Sequence, residues 1–344
     1  MTQKILLGTY TKKDSKGVYN IELDQEKKQL SNLELVAEVG NPTYLDISND
    51  GKTLYTVMKD NGQGGIVSFK KNEEGTFTEA SVNASEGSSP CYVAYDETRQ
   101  FVYTANYHDG EVAVYKTDSE GSLELTDKIK HSGKSVHENQ KSAHAHYFNL
   151  TPDNQYLIAC DLGTDEVITY EVDDEGKLSE VDVISVAPGT GPRHIVFHPN
   201  ETHAYVFGEL SSDILTYAYN SESGTLSLLQ TISSIPEEHT EFNGGAAIRI
   251  SNDGRFVYAS NRGHDSIVVY AVQEDGTLVL VEYVPTEGEI PRDFNLDPSN
   301  QFVVVGHQDT DNLTLFERDS VSGKLTLLQK DVYAPEVVCV AFVK

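Results

Sequence analysis

Asn252 to Leu278 reads NDGRFVYASNRGHDSIVVYAVQEDGTL. Two short runs, 256–260 and 267–272, are rich in Phe, Val, Ile and Tyr, and each is bounded by Asn, Asp and Gly. Apolar runs of this length, broken by turn formers, are the pattern of short antiparallel strands. Tyr270 stands six residues before Gly276, and the Gly276-Thr277-Leu278 turn closes the unit.

The same unit recurs outward in both directions. Gly-x-Leu or Gly-x-Phe turns stand at Gly75, Gly121, Gly176, Gly224, Gly276 and Gly323, each preceded by an aromatic at Phe69, Tyr115, Tyr170, Tyr217, Tyr270 and Phe316. Leu30 keeps the phase in a first unit that lacks the glycine. A second marker, a Pro or small residue, opens each unit at Pro42, Pro90, Ala145, Pro192, Gly245, Pro291 and Pro335. The 293 residues from Pro42 to Pro335 make six steps of about 49. Self-similarity at this period, with four short strands per unit and no run of helical periodicity, predicts an all-β, seven-bladed β-propeller filling residues 1–344 as one domain. The start, ILLGTY, reads as a second strand, and the end, PEVVCVAF, as an opening strand. The C-terminal strand is therefore expected to complete the first blade. HSGKSVHENQKSAH before Ala145 and SSIPEEHTEFNG before Gly245 read as loops inserted on one face.

Composition narrows the partners. The 344 residues carry 26 basic and 54 acidic side chains, a net charge of −28, with 38% hydrophobic residues. That apolar content supports a folded core, whereas the acidity disfavours nucleic acid and anionic membrane, which need clustered Lys and Arg. No apolar run is long enough to span a bilayer and no signal-peptide pattern is visible, so a cytoplasmic protein is expected. Cys91, Cys160 and Cys339 are odd in number and widely spaced, which suggests buried thiols instead of a disulfide framework or zinc site.

In a propeller, the start of each blade's first strand and the end of its second lie on the same face. Seven blades thus converge on one mouth. The first position supplies Thr43, Cys91, His146, Arg193, Ala246, Arg292 and Glu336. The second supplies Lys59, Tyr107, Leu162, Glu209, Arg262 and Gln308, preceded by Met58, Asn106, Asp161, Gly208, Asn261 and His307. A single His or Arg in a turn is ordinarily a solvated group. His146, Arg193, Glu209, Arg262 and Arg292 gathered in one funnel are different, because three arginines repel one another unless an acid or an anionic ligand lies between them. Salt screens beyond about 8 Å, so the distant surface carboxylates do not cancel them. Asp161 and Asn261 have the common alternative of capping turns, and His144, His194 and His264 sit beside the named positions. A divalent ion at His144, His146, Asp161 and Glu209 is disfavoured by the neighbouring arginines. No nucleophile elbow, H-E-x-x-H pair or phosphate loop occurs.

The strings GPRHIVFHPN, YVFGEL, NDGRFVYASNRGHDSI, IPRDFNLDPSNQF and PEVVCVAF resemble the bacterial lactonase family of seven-bladed propellers, typified by the propeller-type 6-phosphogluconolactonases and related to the fungal carboxymuconate lactonizing enzyme. The resemblance covers essentially the whole chain. It implies a carboxylic ester hydrolase acting on a small anionic lactone, 6-phospho-D-glucono-1,5-lactone first, without metal or other cofactor. It also implies catalytic roles for His146, Arg193, Glu209 and Arg262, with His146 and Glu209 both open as the base. Arg292 resembles a further family position, and Asn261 and His194 join it as candidate substrate-binding residues. Rival readings are another lactone or a muconate-type cycloisomerisation on the same site, a metal-dependent sugar lactonase, and a propeller that only binds a partner.

Overall fold

A computed structural model describes residues 2–343, and within them the chain forms seven four-stranded antiparallel sheets arranged in chain order. Six blades are continuous in sequence. The other, blade 1, pairs Val337–Phe342 with Thr2–Thr9, followed by Gly17–Asp24 and Gln29–Glu38, and blades 2 to 7 span 45–86, 92–130, 145–185, 192–233, 244–285 and 291–333 in turn. Ile5 sits opposite Phe342 and Leu7 opposite Val340, so the ring is closed by strands from the two ends of the sequence.

Burial falls from the axis outward, as the sequence pattern requires. The second strand Phe101–Asn106 is buried along its length, whereas the fourth strand Leu178–Ser185 has alternate residues in solvent. The core lies between the faces of adjacent blades: Phe148 of blade 4 meets Tyr103 of blade 3 and Tyr170 of its own blade, both at 5.9 Å between ring centres.

The recurring Gly-x-Leu turn is a latch between blades. Gly276 in blade 6 adopts φ +82°, and a Cβ there would come 2.1 Å from the His203 ring of blade 5. Gly323 in blade 7 repeats this against Phe256 of blade 6. Only glycine combines the left-handed conformation with so close an approach. The carbonyls of these glycines accept hydrogen bonds from Tyr205 and Tyr258 of the preceding blades, at 3.0 and 2.8 Å. The repeat thus marks where each blade grips its neighbour.

The channel is plugged. Tyr44, Tyr92, Tyr147, His194 and the Arg249–Asp293 ion pair fill its middle, leaving a cavity of about 530 Å³ on one face and one of about 470 Å³ on the other. The first opens at the face where inner strands begin, which is also the face of both long loops.

Candidate active site

Five of the seven inner strands enter the ring through an irregularity in pairing. In blade 4, Ala145 opposes Asp161 and Tyr147 opposes Cys160, so His146 is the extra residue of a β-bulge. Arg193 and Arg292 occupy the same place between Pro192 and His194 and between Pro291 and Asp293. A bulge breaks the alternation of side chains and re-aims one of them. Here it turns His146, Arg193 and Arg292 into the 530 Å³ cavity. Glu209, Arg262 and Tyr107 reach it from second strands.

Glu209 is the centre of charge. Its Oε2 lies 3.0 Å from Arg193 Nε and 2.9 Å from Arg262 Nη2. Each guanidinium is also fixed by backbone carbonyls. Arg193 Nη1 donates to Ala246 O at 2.7 Å, and Arg262 Nη2 donates to Gly245 O at 2.8 Å. Burial pushes the Glu209 carboxyl upward, but Arg262, Arg193 and Arg292 outweigh it and hold the pKa below the usual value. Burial, and then the Arg262 charge, lower the Arg193 pKa to about 9, which still leaves it cationic at neutral pH. Three arginines face one carboxylate, a local surplus of positive charge in a strongly acidic chain.

His146 is buried against this cluster, with Nδ1 unpartnered among the described residues. Burial first, then Arg193 and Arg292, hold its pKa well below 6.5, so the imidazole is neutral. Its ring centre lies 5.2 Å from that of His194 and 6.0 Å from that of Tyr107. Tyr107 is stacked at 4.3 Å on His144, whose Nδ1 hydrogen bonds to Tyr107 O at 2.7 Å.

The structure brings His146, Arg193, Glu209, Arg262, Arg292 and His194 to one cavity, His194 as its floor. Asn261 is a correction. It is fully buried away from the mouth, where its Nδ2 donates to Ser234 O at 2.8 Å and its Oδ1 accepts from Ser234 Oγ at 2.8 Å. Successive side chains in a strand face opposite sides, so with Arg262 in the funnel its predecessor must turn away. Met58, Asn106, Asp161, Gly208 and His307 are likewise absent from the cavity lining. Asp161, weighed as a metal ligand, instead accepts from the His144, Gly163 and Thr164 amides and lies 2.7 Å from His131. Among the described residues no three His, Cys, Asp or Glu side chains converge as metal ligands would.

Four other expected lining positions also change. Leu162, Ala246 and Gln308 do not reach the cavity, and Glu336 is offset: Val337 opposes Thr9, which makes Val338 the blade 1 counterpart of His146. Cys91 is half-buried and lines the cavity, unlike the fully buried Cys160 and Cys339. Tyr10, Lys12 and Asn41 line the cavity and were missed by sequence reasoning. Tyr10 follows Thr2–Thr9 as Glu209 follows His203–Gly208, so extending the second-strand register to ILLGTY would have found it.

The sequence model described as Lactonase, 7-bladed beta-propeller, matches residues 4–342. A protein of Lactococcus lactis subsp. cremoris is 52% identical over 341 residues, 99% of each chain. The 6-phosphogluconolactonase of Bacillus subtilis is 46% identical over 339 residues, covering 98% of this chain and 97% of its own. Among solved structures, a Lactobacillus plantarum protein superposes with TM-score 0.98 at 47% identity over 100% of both chains. The periplasmic gluconolactonase of Pseudomonas aeruginosa superposes with TM-score 0.94 at 32% identity, over 100% of this chain and 99% of its own.

Proposed function

The chain belongs to the seven-bladed β-propeller lactonase family, and from that premise we propose that it hydrolyses 6-phospho-D-glucono-1,5-lactone to 6-phosphogluconate, a step of the pentose phosphate pathway. The observation that carries this reading is the pairing of Arg193 and Arg262 with a single carboxylate beside a neutral histidine, with Arg292 unpaired on the wall of the same cavity. Such a site carries two more positive than negative charges, and a phosphorylated lactone brings an anion to the site and develops another on its carbonyl oxygen during attack. The 46% identity to the Bacillus enzyme supports the same substrate.

Hydrolysis requires a base for water, donors for the tetrahedral oxyanion and an acid for the departing ring oxygen. His146 takes the base role. It is unprotonated, whereas Glu209 is ionised and already bound to two guanidinium groups through Oε2. Water oxygen bonds to the lactone carbon as its proton passes to His146, and Arg193 and Arg262 receive the charge that moves onto the carbonyl oxygen. Collapse of the intermediate breaks the bond from that carbon to the ring oxygen. The proton held on His146 then goes to the ring oxygen, leaving a hydroxyl and a carboxylic acid, and the acid releases the second water proton to solvent to become the carboxylate. The depressed basicity of His146 favours this return, because its conjugate acid is strong. Glu209 holds two mutually repelling arginines at a fixed separation.

Freshly generated lactone, coupled to a dehydrogenase that consumes 6-phosphogluconate and corrected for spontaneous hydrolysis, tests the reading. His146→Ala is expected to lower kcat by about 10²–10⁴-fold, the usual contribution of general acid–base catalysis, with a chelator leaving the native rate unchanged. A folded native protein with no enhancement over the spontaneous rate overturns the assignment. A second reading, hydrolysis of an unphosphorylated sugar lactone, is favoured by the P. aeruginosa gluconolactonase at TM-score 0.94.

A further inference from the structure

The cavity has a second cationic side that the chemistry above does not use. Arg292, Lys12 and Lys59 line it from blades 7, 1 and 2. Lys13, next in sequence to Lys12, pairs with Asp311 at 3.9 Å. Among the described residues, no carboxylate lies at ion-pair distance from Lys12, Lys59 or Arg292. Instead, the Lys12 ammonium stands 3.9 Å from the centre of the Tyr10 ring and the Arg292 guanidinium 5.9 Å from the same centre. In a chain of net charge −28, two unpaired cations over one aromatic ring, with a third on the wall of the same cavity, require a reason.

The backbone beneath them is built. The buried Glu336 carboxylate accepts from the Lys12, Lys13 and Ser15 amides at 2.9, 3.0 and 3.2 Å, which pins the turn that presents Lys12. Asn41 ties that turn to the next blade: its amide donates to Thr11 Oγ1 at 3.1 Å and its Nδ2 donates to Lys59 O at 3.3 Å. Glu336 therefore supplies order without placing negative charge in the cavity. Lys12 and Lys59 rise from backbones joined through one asparagine.

We propose that Lys12 and Arg292 at Tyr10, together with Lys59 on the wall of the same cavity, form a phosphomonoester subsite that sets the preference for phosphorylated over unphosphorylated lactones. The proposal rests on the lactonase reading for its substrate and adds where the phosphate goes. In a 6-phosphorylated 1,5-lactone the ester carbon and the carbon bearing the phosphate arm both flank the ring oxygen. A carbonyl set against Arg193 and Arg262 leaves the phosphate arm to be met by the remaining cations of the same cavity. Arg292 supplies a planar fork for phosphate oxygens, and the two lysines act as point charges.

The test compares native protein with Lys12→Ala/Lys59→Ala and, separately, Arg292→Ala. Both 6-phosphoglucono-1,5-lactone and glucono-1,5-lactone are assayed, and calorimetric binding of 6-phosphogluconate and gluconate is measured. Losing two charge-assisted contacts is expected to lower the phosphorylated-to-unphosphorylated ratio of kcat/KM by about 10–100-fold, chiefly through KM, and to weaken 6-phosphogluconate binding by a similar factor. Equal losses on both lactones, or unchanged 6-phosphogluconate affinity, overturn the subsite. If the native protein hydrolyses neither lactone, the lactonase reading fails, and charge-dependent binding of 6-phosphogluconate still decides the subsite. If it hydrolyses only glucono-1,5-lactone and does not bind 6-phosphogluconate, the subsite fails and the lactonase stands.

Discussion

Arg193, buried, and Arg249, partly buried, stand on inner strands of adjacent blades, yet they face opposite ends of the same channel and are treated oppositely. Arg249 Nη2 meets Asp293 Oδ1 at 2.8 Å, its Nη1 donates to Ile248 O at 2.9 Å, and Asp293 Oδ2 accepts from the Val340 amide at 2.8 Å. Burial disfavours the Arg249 charge, but the Asp293 carboxylate outweighs it and raises the pKa. Arg193 shares its one acid with Arg262, and its pKa is lowered. The comparison separates two uses of a buried cation. Matched one to one, it welds the plug together; in surplus, it awaits an anion.

The strongest way to break the comparison is Asp293→Asn. If Arg249 is structural, removing its partner strands a buried charge and costs about 3–5 kcal/mol of stability, read from denaturant unfolding. An unchanged unfolding midpoint refutes the structural role.

Acidification probes the other end. His146 and His194 are each held well below 6.5 by burial first and then by Arg193. Below pH 6.5 the unfolded chain binds protons that the folded chain refuses. The stabilisation is therefore complete above pH 6.5 and is lost as pH falls toward the folded pKa values, by about 1 kcal/mol per histidine per pH unit. Thermal unfolding between pH 7.5 and 5.5 should show this decline, with a shallower slope in His146→Ala. Equal slopes in the two proteins would place the titration elsewhere.

The smallest effect sharpens the boundary of the site. Asn261→Ala removes buried hydrogen bonds to Ser234 and is expected to cost about 1–2 kcal/mol while leaving KM for the lactone within twofold. A large rise in KM would return Asn261 to the binding surface.

Much of this was legible before any coordinates. The glycine turns and Pro-type markers fixed seven blades, and their register brought His146, Arg193, Glu209, Arg262 and Arg292 to one face. What stayed hidden has physical causes. Tyr10 and Lys12 lie in the blade that is split between the two ends of the chain, where Pro335 stands two residues ahead of the position its counterparts hold. That offset exchanged Glu336 for Val338. Asn261 was misread because one step along a strand reverses the side chain. The Arg249–Asp293 pair joins different blades, and no local spacing announces it.

The closure of blade 1 also has a meaning in time. During synthesis Thr2–Thr9 emerges long before its inner partner, Val337–Phe342. The turn bearing Lys12 cannot be pinned until Glu336 arrives. Until then Thr2–Thr9 lacks its inner partner and presents an unpaired strand edge. The anion-facing rim is therefore completed only when the ring itself is closed.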